Sequence, residues 1–136
     1  MPLIATSNPR IILGLMTFGP DESTGARITT VPDFAKVLDR FQERGYSEVD
    51  TARIYVGGKQ EAFTREAGWK ERGLTLATKV QYPSKEGGEN TAEGVRESVE
   101  KSLGELGAEV VDILYLHCAV CHSLLVDGWG WANGGN

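Results

Sequence analysis

Asp50, Tyr55, Lys79 and His117 are the residues of this chain whose types and spacing could do chemistry together. Each stands at or just past the end of a strand-like run. Asp50 closes Ser47-Glu48-Val49-Asp50, and Tyr55 sits in the loop that leaves it. Lys79 nearly closes Leu74-Thr75-Leu76-Ala77-Thr78-Lys79-Val80, and His117 follows Val110-Val111-Asp112-Ile113-Leu114-Tyr115-Leu116. The chemistry such a group suits is proton handling. A tyrosine hydroxyl, with an ordinary pKa of about 10, is a poor acid near neutrality unless a nearby cation stabilises its phenolate. Lys79 could be that cation, Asp50 could hold Lys79 in place, and His117 could orient a substrate oxygen. Taken singly, each has a plain structural reading: a solvated lysine, a turn aspartate, a packing tyrosine, a hydrogen-bonded histidine. The functional expectation rests on the four together.

The elements that must position them alternate between strand-like and helix-like segments. Residues 11–15 are a short apolar run leading into Met16-Thr17-Phe18-Gly19-Pro20, a strand entering a loop. Pro32 opens a helix where its missing N–H does least harm, and Phe34, Val37, Leu38 and Phe41 recur at helical spacing before Gly45 stops it. A strand over 47–50, a loop through Gly57-Gly58 and a helix over 59–69, with Ala62, Phe63 and Ala67 near one face, make the second unit. A third strand follows over 74–80, and residues 82–88 read as a Pro/Gly/charge loop. Asn90 or Thr91 can cap the next helix, with Glu93 in its first turn and Val95, Val99, Leu103 and Leu106 at helical spacing. The fourth strand runs over 110–116. Four strands and three helices in this order predict an α/β fold with right-handed βαβ crossovers and a parallel sheet. In such sheets functional groups gather at the carboxyl ends of the strands, where Asp50, Lys79 and His117 stand.

Composition bounds the function. At 136 residues the chain is one domain in size, and its net charge of −5 and pI near 5.0 give no basic footprint for nucleic acid or an anionic membrane. The first residues lack the basic start and apolar run of a signal peptide, and no run approaches a membrane span, which makes the cytoplasm the expected location. Cys118 and Cys121 are the two cysteines, too few for a disulfide framework.

The stretch from Val49 to Tyr55 (Val-Asp-Thr-Ala-Arg-Ile-Tyr), with Ala77-Thr78-Lys79-Val80 and Asp112-Ile113-Leu114-Tyr115-Leu116-His117, resembles the aldo-keto reductases. The continuation Tyr55-Val56-Gly57-Gly58-Lys59-Gln60-Glu61 looks most like their aflatoxin-aldehyde reductase branch. The resemblance implies a TIM barrel that binds NADPH without a Rossmann fold, consistent with a sequence that has no G-x-G-x-x-G turn. It implies reduction of aldehydes or ketones to alcohols by hydride transfer. Tyr55 would protonate the oxygen, Lys79 and Asp50 would tune Tyr55, and His117 would hydrogen-bond the carbonyl. Met16 and Thr17 match positions near the nicotinamide ribose, and Asp50 would join them at the cofactor.

The chain also departs from that pattern. A (β/α)₈ barrel takes about 250 residues, whereas here four strands of eight are expected, an N-terminal half domain over 1–117. Residues 118–136 are expected to be a divergent tail of altered or truncated origin. Cys118-Ala119-Val120-Cys121-His122 matches the C-x-x-C-H pattern of c-type haem attachment, but no export signal accompanies it. Zinc binding by these cysteines with His117 and His122 would crowd four ligands into six residues, unlike the separated pairs of structural sites. Ordinary thiols in an unpacked tail are the expectation. A half barrel leaves its first and fourth strands as edges and its inner face wet, which favours aggregation or pairing of two copies. Three functions are consistent with the chain: an NADPH-dependent carbonyl reductase, a non-enzymatic interaction protein like the channel β subunits of the same family, or an inactive truncated product.

Overall fold

Thr30 opens the first helix because its side chain satisfies a backbone amide that the helix leaves unpaired: its Oγ1 accepts the Asp33 N–H at 3.2 Å. The computed structural model describes residues 9–81 and 91–118. Helix α1 spans Val31–Glu43, with Pro32 in its first turn and Phe34 and Leu38 buried on its inner face. Helix α2 spans Gln60–Glu66, and α3 spans Ala92–Leu106 with Thr91 as its cap. The 82–88 loop, the alternative Asn90 cap and the Cys121-His122 part of the tail motif lie outside the described residues.

Four strands, β1 (Ile12–Gly14), β2 (Glu48–Asp50), β3 (Thr75–Lys79) and β4 (Ile113–Tyr115), pair in parallel in the order β1-β2-β3-β4. Sequential order is the winding of a barrel, without the reversal that marks a doubly wound sheet. The register sets Gly14 beside Asp50, Asp50 beside Ala77, and Lys79 beside Tyr115. Because side chains alternate along a strand, Asp50, Ala77, Lys79 and Tyr115 share one face, while Val49, Leu76 and Thr78 turn to the helices.

On the helix side Phe34 is the centre of an aromatic column, 4.7 Å from Phe18 and 5.6 Å from Phe63 between ring centroids. Leu15, Leu38, Val49, Leu76, Trp69 and Leu106 complete the core around it. The Trp69 indole Nε1 donates to the Leu106 carbonyl at 3.1 Å, fastening the end of α3 to the segment after α2.

Several boundaries differ from the expected ones for identifiable reasons. Helix α2 stops at Glu66 rather than near residue 69, because Ala67 caps it and Gly68 then takes φ +73°, a left-handed turn suited to glycine. Strand β4 covers three residues of the apolar run, since the Asp112 carboxylate takes the Leu76 N–H at 2.8 Å before the backbone ladder begins. On α3 the buried positions are Ser98, Ser102 and Leu106, and the apolar Val95, Val99 and Leu103 lie half-buried beside them. Ser98 is inward because its hydroxyl accepts the Gln81 N–H at 2.8 Å. Among the described residues no helix is long and apolar enough to cross a membrane.

Candidate active site

Asp50 and Lys79 meet because of the register. Asp50 pairs with Ala77 across the ladder, Lys79 lies two residues further on the same face, and a lysine stem is long enough to cross back. The Lys79 ammonium donates to Asp50 Oδ2 at 2.7 Å and to the Thr51 carbonyl at 2.7 Å. Both side chains of the pair are partly buried. An ammonium has three donors and no acceptor, so this geometry fixes its position and leaves one N–H for another partner.

Tyr55 arrives beside it by continuation of the strand. The Thr51 and Arg53 amides donate to the Ala77 and Lys79 carbonyls, carrying the backbone along β3 past the end of β2. A 3₁₀ turn, Tyr55–Gly58, then lifts Tyr55 over the lysine, whose Nζ lies 5.1 Å from the ring centroid. His117, two residues past the end of β4, stands edge-on to the Tyr55 ring with centroids 5.8 Å apart and an interplanar angle of 89°. The structure therefore brings the four expected residues into one cluster at the carboxyl end of the sheet.

The His117 imidazole is pushed below the usual histidine range, first by burial and then by the Lys79 cation, with Asp50 opposing more weakly. That direction favours the neutral imidazole, whose ring N–H can donate a hydrogen bond without carrying charge. Its Nδ1 is buried and has no hydrogen-bond partner among the described residues. A buried polar atom left in that state costs about 1–3 kcal/mol, which marks the spot as one where a bound molecule would supply a partner.

Met16 and Thr17 follow β1 at the same end of the sheet, where Leu15 still donates to the Asp50 carbonyl at 2.9 Å. The Met16 side chain is exposed, and the Thr17 carbonyl is taken by the Arg27 and Ile28 amides. Cys118 is exposed next to His117.

Sequence reasoning missed the polar layer behind the site. Arg53 and Glu61, both buried, form an ion pair on the helix side of the sheet. Thr51 donates to the Gln60 side chain, and the Gln60 amide donates to Thr64 Oγ1 at 2.7 Å. The available signal was position: Arg53 lies within the Asp50-to-Tyr55 stretch and Glu61 in the first turn of the next helix, both away from surface-like charge runs.

Residues 10–130 match the family model described as the aldo/keto reductase family. The chain is 30% identical over 126 residues to aflatoxin B1 aldehyde reductase member 4 of Homo sapiens, an alignment covering 91% of this chain and 36% of that protein. It is 45% identical over 76 residues to the aldo-keto reductase pigE of Monascus ruber, covering 55% of this chain and 22% of that one. The chain thus spans about a third or less of the length of these two relatives. Among solved structures it superposes on an aldo-keto reductase from Klebsiella pneumoniae in complex with NADPH. The TM-score is 0.62 at 23% identity over 80% of this chain and 35% of that one, a likeness of fold. With the family model matched over most of its length, the chain belongs to the aldo/keto reductase family.

Proposed function

We propose that the cluster is the proton-delivering part of an NADPH-dependent reductase of aldehydes and ketones. The observation that carries this reading is the placement of the Lys79 ammonium between the Asp50 carboxylate and the Tyr55 ring. A cation so placed can stabilise the negative charge that develops on the Tyr55 side chain in the transition state for proton transfer. Asp50 holds the cation there by accepting its hydrogen bond. Neutral His117 donates a hydrogen bond to the substrate oxygen and so sets the carbonyl within reach of the Tyr55 hydroxyl. NADPH, when bound, supplies the hydride that the carbonyl carbon accepts. The oxygen takes its proton from Tyr55, and the product is the alcohol. Met16, Thr17 and Asp50 are the residues that would hold the nicotinamide end. The buried, unpartnered Nδ1 of His117 and the exposed Met16 side chain fit a ligand at this place.

The test is NADPH binding to the purified chain, followed by protein-to-nicotinamide fluorescence transfer, and then turnover of an aldehyde panel. Micromolar binding with turnover that is lost in Tyr55→Phe and Lys79→Met supports the reading. Absence of binding at millimolar NADPH overturns it.

A specific observation favours a second reading, action through a protein partner. Val110, Leu114, Tyr115 and Leu116 around β4 are exposed, as are Ile11 and Ile12 at β1. Both are parallel edge strands, so β4 of one copy can pair with β1 of a second in the same sense. A partner complex that survives Tyr55→Phe would separate this role from turnover.

A further inference from the structure

The buried layer behind the site is held together by its own ion pair and hydrogen bonds. Arg53, Glu61 and Thr78 are 3%, 0% and 1% exposed. Arg53 Nη1 pairs with Glu61 Oε2, and Arg53 Nη2 donates to the Gly58 carbonyl. The Thr78 hydroxyl donates to Glu61 Oε1 at 2.7 Å. Replacing a buried ion pair by apolar residues of similar volume is often neutral or stabilising. Stability is therefore a weak account of why these three residues stand here, and their connections offer a better one.

Arg53 precedes Tyr55 by two residues, and Thr78 precedes Lys79 by one. Strand alternation puts Thr78 on the helix side and Lys79 on the site side, so one carboxylate, Glu61, holds the side chains of two residues close to Tyr55 and Lys79 along the chain. The turn that carries Tyr55 needs such a tie. Val56, the next residue, has φ 51° and ψ 48°, a left-handed conformation in which a β-branched residue is crowded. Strain of that kind persists only where its surroundings over-determine it. Arg53 supplies part of that constraint by gripping the far end of the turn at Gly58, where an added Cβ would lie 2.8 Å from Arg53 Nη2.

We propose that Arg53, Glu61 and Thr78 are positioning residues that set where Tyr55 stands relative to Lys79 and His117. The catalytic consequence rests on the reductase reading above, whereas the geometric one does not. The test uses the full chain and the shape-preserving Thr78→Val, with Thr78→Ser as the conservative rescue. The first readout is the NMR shift of the His117 ring protons, which the edge-on Tyr55 ring perturbs, assigned against a His122→Asn control. The second is aldehyde reduction, resolved into kcat and KM. Thr78→Val is expected to fold, to move the His117 resonances, and to lower kcat by about a hundredfold at unchanged KM, with Thr78→Ser restoring both. Should Thr78→Val not fold, Arg53→Lys decides: it keeps the charge, loses the forked grip on Gly58, and is expected to move the same resonances. A folded variant with unmoved His117 resonances overturns the proposal. Resonances that move in a chain without any turnover would sustain it and sink the reductase reading instead.

Discussion

Gly19 and Val56 compete for one small volume beside the site, and the competition can be measured. A Cβ added at Gly19 would stand 2.7 Å and 2.9 Å from the two Val56 methyl carbons, closer than nonbonded carbons approach. Gly19→Ala must therefore push aside a side chain that is 4% exposed and fixed in a left-handed turn. Overpacking of this kind costs about 1–3 kcal/mol. Val56→Ala alone removes two buried methyl groups, a loss of about 1.6 kcal/mol at ~0.8 kcal/mol per buried carbon. Part of that loss is offset because alanine is less crowded than a β-branched residue at positive φ. In the double variant the two closest contacts are gone, and only the Cβ of residue 56, 3.0 Å from the new methyl, remains near it. The two costs should then fall short of adding, by about 1 kcal/mol or more within the ordinary coupling range of roughly 0.5–3 kcal/mol for touching residues. Urea unfolding followed by circular dichroism on the four chains closes the cycle. Additivity within about 0.5 kcal/mol would refute the claim that Gly19 is glycine in order to admit Val56.

Trp69→Phe should destabilise the fold by about 1–3 kcal/mol, because it removes the donor to the Leu106 carbonyl while keeping most of the apolar volume; an unchanged urea midpoint would show that bond to be dispensable. His117 should titrate below the ordinary histidine value, and Lys79→Met should raise it while Asp50→Asn lowers it, since the first removes a repelling cation and the second a favourable carboxylate. With the folded value depressed, the unfolded chain binds the extra proton below about 6.5, so this contribution is complete above that pH and is lost as pH falls through the folded value. An NMR titration in which the two variants shift His117 in the same direction would contradict the assignment of causes.

The α/β alternation and the four site residues were legible because both depend on local pattern. Short apolar runs ending in Asp50, Lys79 and His117 read as parallel strands, and a parallel sheet delivers its strand ends to one place. The Tyr55 turn was not legible, because a valine at positive φ contradicts local preference, and the room that Gly19 leaves for it is a contact remote in sequence. Arg53 and Glu61 were passed over for the opposite reason: charged residues are almost never fully buried unless paired, and the pairing is visible only once α2 is laid against β3. The inward face of α3 shows the same limit. Ser98 and Ser102 are buried where apolar spacing favoured Val95, Val99 and Leu103, because Ser98 satisfies the Gln81 amide.

The face that carries the site is also the face the helices do not cover. Alternation that turns Thr78 inward to Glu61 turns Lys79 and Tyr115 to the opposite face. An ion pair strengthens as water is excluded, so the Asp50–Lys79 pair should position Tyr55 best when β1 and β4, the edge strands among the described residues, are paired. If a second copy does the pairing, NADPH binding and association are linked by mass action. The apparent NADPH affinity should then rise with protein concentration, in step with the dimer fraction seen by sedimentation velocity. The second-copy reading fails if the affinity stays constant across a dilution that takes the chain from dimer to monomer, because the site would then owe nothing to the paired edges.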